Sequence, residues 1–150
     1  MTLKEKIFNI LPKISILGGL PEKDVELIID IFSEKSFEKG DILIKEDTPP
    51  DYCYLLLKGE IEISLDNKQL LIVDNEGAIF GLAGPIGIQD DLFTVTALTE
   101  LETLRISTAE LCKISQTAPE IFGMLMFNIA RDLARALKMA KEIIEDFTES

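Results

Sequence analysis

The chain has 150 residues, of which 47% are hydrophobic and 28% charged, and a formal net charge of −12 at pH 7. This composition is that of a folded protein, and the length fits one domain over residues 1–150. An acidic surface repels nucleic acid, and no apolar run is long enough for a membrane span or resembles a signal peptide. We therefore expect a cytoplasmic protein that binds neither DNA nor membranes.

The sequence contains no histidine and only two cysteines, Cys53 and Cys112. Histidine is the usual general base and the commonest metal ligand, and two thiolates are too few for a four-cysteine zinc or iron–sulfur site. We expect no catalytic residue, no metal site and no enzyme activity. Both cysteines are expected to be reduced thiols packed in the core.

Two short helices are predicted in the N-terminal part of the chain. Apolar residues recur at helical spacing over residues 2–11 and again over residues 21–34. Pro12 is expected to end the first helix, and Gly18 and Gly19 are expected to form the hinge between the two.

The central part, residues 36–107, is predicted to be a β-barrel or sandwich. Seven or eight short apolar runs separated by turn residues are typical of antiparallel all-β folds. In one of these strands Ile61, Ile63 and Leu65 are predicted to face inward, because they alternate with polar residues. The residues Asp66–Lys68 predict the hairpin turn that follows.

Helices return in the C-terminal part, over residues 108–147. Ser107 and Glu110, and again Thr117 and Glu120, have the spacing of a capping box at a helix start. In the last helix a row of apolar residues repeats every 3.5 residues on average, which is the period of a coiled-coil seam. This row, predicted to form a homodimer interface, consists of Phe122, Met126, Ile129, Leu133, Ala136, Ala140, Ile143 and Phe147. The alternative is a helix that packs on its own barrel without a partner chain.

Five segments carry a family resemblance in their order and spacing: Ile16–Pro21, Phe37–Leu43, Asp51–Gly59, Gly77–Gly81 and Thr94–Ala97. Together they resemble the cyclic-nucleotide-binding domain of Crp–Fnr regulators, protein kinase regulatory subunits and cyclic-nucleotide-gated channels. The resemblance implies a mainly β fold: an eight-stranded, jelly-roll-like antiparallel β-barrel with N-terminal helices and a long C-terminal helix.

The resemblance also implies a phosphate-binding cassette, in which a Glu holds the ribose and an Arg neutralises the cyclic phosphate. Here the Glu position falls on Leu82, the Arg position on Asp91, and the small residues after the Arg fall on Leu92 and Phe93. No Lys or Arg occurs between Gly77 and Ala97. The cassette is therefore expected to be degenerate. Its candidate ligand-binding residues are Phe80, Gly81, Leu82, Ala83, Gly84, Asp91, Leu92, Phe93 and Thr94.

Two functions fit this sequence. The first is a regulatory module that has no cofactor, forms a homodimer and acts on a protein partner. We expect no DNA-binding part, because the chain ends at Ser150, where the family's transcription factors continue into a helix-turn-helix. The alternative is a sensor whose pocket binds a cyclic nucleotide or another small effector, with a cation supplied by Arg105, Arg131 or Arg135. In the first case Leu82, Leu92 and Phe93 fill the pocket. A metal-dependent jelly-roll enzyme would need the histidine ligands that the chain lacks.

Overall fold

The computed structural model describes residues 1–149, with Pro85 as backbone only. Its helices are α1 (Leu3–Ile10), α2 (Glu22–Ile28), α3 (Ala83–Gly87), α4 (Thr108–Thr117) and α5 (Pro119–Glu149). Its strands are β1 (Ser33–Phe37), β2 (Ile42–Ile44), β3 (Tyr52–Lys58), β4 (Ile61–Leu65), β5 (Lys68–Val73), β6 (Ile79–Phe80), β7 (Thr94–Ala97) and β8 (Leu101–Ser107). Short 3-10 turns lie at Leu11–Lys13, Ser15–Leu17 and Ile29–Ile31.

The strands form two four-stranded antiparallel sheets, in the orders β1-β8-β3-β6 and β2-β7-β4-β5. This confirms the predicted eight-stranded jelly-roll-like barrel with helices before and after it. Side chains alternate along β3, so Tyr54 and Leu56 pack between the two sheets while Cys53 and Leu55 pack against the helices. The fold therefore has two apolar cores, one inside the barrel and one under the helices.

The predicted helix over residues 21–34 is too long. Helix α2 ends at Ile28, a 3-10 turn follows, and Ser33–Phe37 is strand β1, which pairs with β8. The barrel accordingly begins at Ser33 rather than at residue 36. Local helical spacing could not show this, because hydrogen bonds to a strand some seventy residues later override the local preference.

Strand β4 alternates as predicted only in its first half. Ile61 is fully buried, but Ser64 is buried at 7% exposure while Leu65 is 37% exposed. The register shifts between Ile63 and Ser64, and such a bulge reverses which residues face inward. The hairpin turn that follows is confirmed: Asp66 and Asn67 both have positive φ, as a type I′ turn requires.

One of the two predicted capping boxes starts a helix. The Ser107 hydroxyl accepts a hydrogen bond from the backbone N–H of Glu110 and caps α4. Thr117 was predicted to cap the last helix, but it is the final residue of α4 and its hydroxyl donates to the Lys113 carbonyl. Helix α5 starts instead at Pro119, whose fixed φ suits a first helical turn.

Helix α5 is about 46 Å long at 1.5 Å per residue, and its first half is part of the helical core. Ile129, in the predicted dimer row, is only 2% exposed, and Phe122, Met126 and Leu133 pack against the same core. The first half of that row is therefore not free to meet a second chain. Asn128, on the core-facing side, donates to the carbonyls of Ile16 and Gly18 at 3.0 and 2.8 Å. None of the helices within residues 1–149 is both long and apolar enough to cross a membrane.

Candidate functional site

A cleft of about 70 Å³ lies where α3 crosses between β6 and β7. Eight of the nine predicted ligand-binding residues line it, and the list is Phe80, Gly81, Leu82, Ala83, Gly84, Asp91, Leu92 and Phe93. Ile44, Ile63 and Val95 complete the walls from the second sheet. These three were not predicted as site residues; for Ile44 and Ile63 the distance along the chain from α3 hides the proximity that the barrel creates.

Gly81 lets the chain turn sharply from β6 into the cleft. Its φ is +83°, and a Cβ at this position would lie 2.6 Å from the Ile44 side chain. A larger residue would therefore be strained by the positive φ and would also push the end of the Ile44 side chain aside. The preceding Phe80 stacks on Tyr54, with ring centroids 5.6 Å apart, and so fixes the inner end of the cleft.

Thr94, the ninth predicted residue, does not line the cleft. Its hydroxyl donates to a carboxylate oxygen of Glu46 at 2.9 Å and accepts from the Glu46 backbone N–H at 3.2 Å. The same carboxylate accepts from the backbone N–H of Asp66, in the hairpin turn after β4. Glu46 thus connects its own loop to the start of β7 and to the hairpin turn after β4. Nothing in the sequence singled out this residue.

Leu82, which the sequence comparison matched to the family's ribose-binding Glu, is a core residue in the structure. It is 6% exposed and belongs to the core under the helices. Beyond the cleft it borders a second cavity of about 10 Å³, which it shares with Leu125 and Ile129 of α5. The sequence-based idea that large apolar residues fill the pocket is correct for Leu82, whereas Leu92 remains 46% exposed.

Asp91 is the residue that the sequence comparison matched to the family's phosphate-binding Arg. Its backbone is held on both sides: its N–H donates to the Thr48 carbonyl at 2.9 Å, and its carbonyl accepts from the Asp47 N–H at 2.8 Å. Its side chain is buried at 6% exposure. Burial raises the pKa of the Asp91 carboxyl, and the nearby charges of Asp51 and Asp90 raise it further.

The three arginines that could have supplied a cation from outside the cassette have other contacts. The Arg105 guanidinium lies 4.0 Å from the centre of the Tyr52 ring, on the inner face of β8. Arg131 stacks on Phe127, and Arg135 pairs with Asp132, both on α5. None of the three lines the cleft that the structure describes.

A family model described as "Cyclic nucleotide-binding domain" matches residues 34–118, which is more than half of the chain. The chain belongs to the cyclic nucleotide-binding domain family. This match covers the barrel, the cleft and α4, so the family assignment made from the five sequence segments is confirmed.

Among the relatives is the human cGMP-dependent protein kinase 2, which is 29% identical over 101 residues. The aligned part is 64% of this chain but only 13% of the kinase, so the chain spans a small part of this curated relative. A solved cyclic nucleotide-binding domain from Methylobacillus flagellatus superposes with a TM-score of 0.81 at 21% identity, covering 95% of this chain and 83% of that one.

A further solved relative is the regulatory subunit of a cAMP-independent protein kinase A from Trypanosoma brucei. A triple mutant of that subunit, in which one threonine is changed to arginine, is described as bound to cAMP in the A site. It superposes with a TM-score of 0.72 at 19% identity, covering 87% of this chain and 47% of that one. The proteins similar to this chain thus include a cGMP-dependent kinase and a regulatory subunit of a kinase that is described as cAMP-independent.

Proposed function

We propose that this protein is a non-enzymatic regulatory module that does not bind cAMP or cGMP in the usual way of its family. It acts as a homodimer on a protein partner. The observation that carries this proposal is the cleft, which presents the buried Asp91 where the family has a cation. The cleft volume of about 70 Å³ is also far below the roughly 300 Å³ at which small-molecule pockets begin.

The energetic consequence of the Arg-to-Asp difference is large. A hydrogen bond to a charged group contributes about 1.5–3 kcal/mol, and this is lost without the arginine. A like charge at about 4 Å adds a penalty of about 1–4 kcal/mol between bulk water and a partly screened surface. The combined effect corresponds to roughly 10² to 10⁵ in affinity, which turns a micromolar site into a millimolar one or abolishes it.

The trypanosomal regulatory subunit supports this argument. The wild-type subunit is described as belonging to a cAMP-independent kinase, and the mutant described as cAMP-bound carries a new arginine among its three substitutions. A regulatory subunit of a kinase that is described as cAMP-independent is therefore a parallel for this proposal.

Isothermal calorimetry with cAMP and cGMP tests the proposal. The wild-type protein is expected to give no saturable heat at concentrations that would detect sub-millimolar binding. Asp91→Arg and the neighbouring Asp90→Arg form a matched pair, since both add the same charge but only the first faces the cleft. If only Asp91→Arg binds the nucleotide, the charge of Asp91 is what excludes nucleotides from the wild-type cleft. If neither variant binds, the charge and the small volume of the cleft exclude nucleotides together. Micromolar binding by the wild-type protein would refute the proposal.

Dimerisation is proposed through a face of α5 next to the predicted row. Its large residues are strongly exposed: Phe127 at 63%, Leu137 at 72% and Ile144 at 62%. With the residues between them they repeat at alternating steps of four and three, the pattern of a coiled-coil seam. This free seam consists of Gly123, Phe127, Ala130, Ala134, Leu137, Lys141 and Ile144. An exposed apolar stripe of this length is typical of an interaction surface.

Sedimentation equilibrium tests the dimer. The wild-type protein is expected at about twice its monomer mass of 16.7 kDa. Leu137→Glu places a charge in the free seam and is expected to give the monomer. Met139→Glu is the matched control, because Met139 lies on the opposite side of the same helix and is also exposed, at 42%. A wild-type monomer at high concentration, or equal loss of dimer in both variants, would refute this interface.

A further inference from the structure

The cleft beside α3 combines apolar walls with one buried acidic group. Apart from Asp91, the side chains that line it are those of Ile44, Ile63, Phe80, Leu82, Ala83, Leu92, Phe93 and Val95. A cavity needs roughly 10–15 Å³ to hold a water molecule, so about 70 Å³ holds some five waters or a short alkyl chain. The space suits a small ligand with an apolar body.

The Asp91 carboxylate has no partner among residues 1–149. No group there donates a hydrogen bond to it or pairs with it as a cation. The backbone of Asp91 is held in place, because both of its polar groups are hydrogen-bonded to the loop before β3. A Cβ added at Gly84 would lie 2.7 Å from an Asp91 carboxylate oxygen, so this oxygen lies against the α3 backbone at the wall of the cleft.

The charges around this carboxylate have the same sign. Asp51 and Asp90 are the charged groups that act on it, and both are negative. Buried charges in proteins are nearly always paired, because an unpaired one is costly to remove from water. A positively charged ligand in the cleft would compensate this carboxylate.

We propose that this cleft binds a primary ammonium group carried on a short alkyl chain. The ammonium pairs with the Asp91 carboxylate, and the alkyl chain contacts the apolar walls. The rings of Phe80 and Phe93 add aromatic faces, which attract cations. A calcium ion does not fit, because it takes six to eight oxygen ligands and the cleft supplies one carboxylate. The inference rests on the proposed function, since it gives a ligand class to a cleft that excludes cyclic nucleotides.

Binding is tested by NMR titration of the full chain at neutral pH with n-butylammonium and, separately, with n-butanol. The two probes have similar size and shape, but only the first is charged. We expect saturable binding of butylammonium on the order of 1 mM, a range that suits a ligand of five non-hydrogen atoms. Amide shifts should be largest at Gly84, Asp91 and Phe93. Butanol is expected to bind at least tenfold more weakly.

Two variants identify the group responsible. Asp91→Asn is expected to weaken butylammonium binding at least tenfold, whereas the exposed neighbour Asp90→Asn should change it less than threefold. Urea unfolding of both variants establishes that each is folded. Equal binding of butanol, equal effects of the two variants, or no saturation well above the expected constant would each overturn the proposal. These outcomes are independent of the cyclic-nucleotide calorimetry, so the two ideas fail separately.

An ammonium on an alkyl chain occurs both in free amines and at the end of a lysine side chain. A further titration with lysine that is acetylated at its α-nitrogen and amidated at its carboxyl group distinguishes these sources. Tighter binding of blocked lysine than of butylammonium would support a lysine of a protein partner, with Leu92 at the exposed edge contacting the peptide. Tighter binding of butylammonium would support a free amine.

Discussion

Leu82→Glu introduces the side chain that the family uses to hold the ribose. In this protein position 82 is part of the core under the helices and is 6% exposed. The cavity next to it, about 10 Å³ in volume, is lined by apolar residues that include Leu125 and Ile129 of α5. A carboxylate at this position would have no polar partner within that cavity. The substitution therefore tests whether the cassette has become part of the core.

The expected loss of stability has two parts. Removing a fully buried leucine side chain loses about 1.5–3 kcal/mol of transfer free energy. An uncompensated buried charge costs about 3–5 kcal/mol. Their total approaches the stability of a typical domain, which is about 5–15 kcal/mol. Burial would also raise the pKa of the new carboxyl, so the loss should be greatest at neutral pH and smaller in acid.

Urea unfolding followed by circular dichroism measures this loss. We expect the Leu82→Glu midpoint to fall by about 2 M or more at neutral pH, given a denaturant slope of about 2 kcal/mol per molar. Leu92→Glu is the matched control, because Leu92 lines the same cleft but is 46% exposed, and it should change stability by less than about 0.5 kcal/mol. Equal stability of the two variants would show that position 82 is not a core position, and our account of the cassette would be wrong.

Two further predictions concern polar side chains. The pKa of the Asp91 carboxyl is higher in the folded state, so the folded chain holds that proton more tightly than the unfolded chain. Above the folded pKa the charged carboxylate therefore lowers the stability of the fold. This destabilisation disappears as the pH falls. Asp91→Asn is accordingly expected to raise the free energy of unfolding at neutral pH, with the gain shrinking in acid, and a constant gain from pH 4 to pH 7 would contradict the assignment. Asn128→Ala leaves the carbonyls of Ile16 and Gly18 without their hydrogen-bond donor. Thermal unfolding is expected to show a loss of stability of about 1–3 kcal/mol. The control, Asn9→Ala at an exposed position, should lose less than about 0.5 kcal/mol.

The parts of the fold that the sequence predicted well are those set by local chemistry. The turn after β4 needs positive φ at two successive residues, and Asp66 and Asn67 are residue types that tolerate it. The cap of α4 depends on Ser107 and a residue three positions later. Strand β1 was missed because its pairing partner, β8, lies far along the chain. The bulge in β4 was missed because one extra residue in a strand leaves no mark in the pattern of hydrophobic residues.

The first half of the predicted dimer row packs on its own core for a related reason. A helix that touches a barrel on one side and a second chain on another carries apolar residues over much of its circumference. The period of the row containing Met126 and Ile129 was that of a coiled-coil seam, but period alone does not say which partner a row faces. Only the packed structure shows that Ile129 is buried in its own core while Phe127 and Leu137 point away from it.

At the cleft, too, the sequence predicted some features and could not predict others. The match of Asp91 to the family's arginine was predicted from the sequence, because the charge of a residue can be read without knowing its neighbours. The volume of the cleft and the lack of a partner for the Asp91 carboxylate could not be read, since both depend on where Ile44, Gly84 and Arg105 lie after folding. A lost cation alone would leave an empty nucleotide site. In our proposal, the Asp91 carboxylate in a small apolar cleft instead favours a ligand of opposite charge, and the search for a ligand should therefore turn from phosphates to amines.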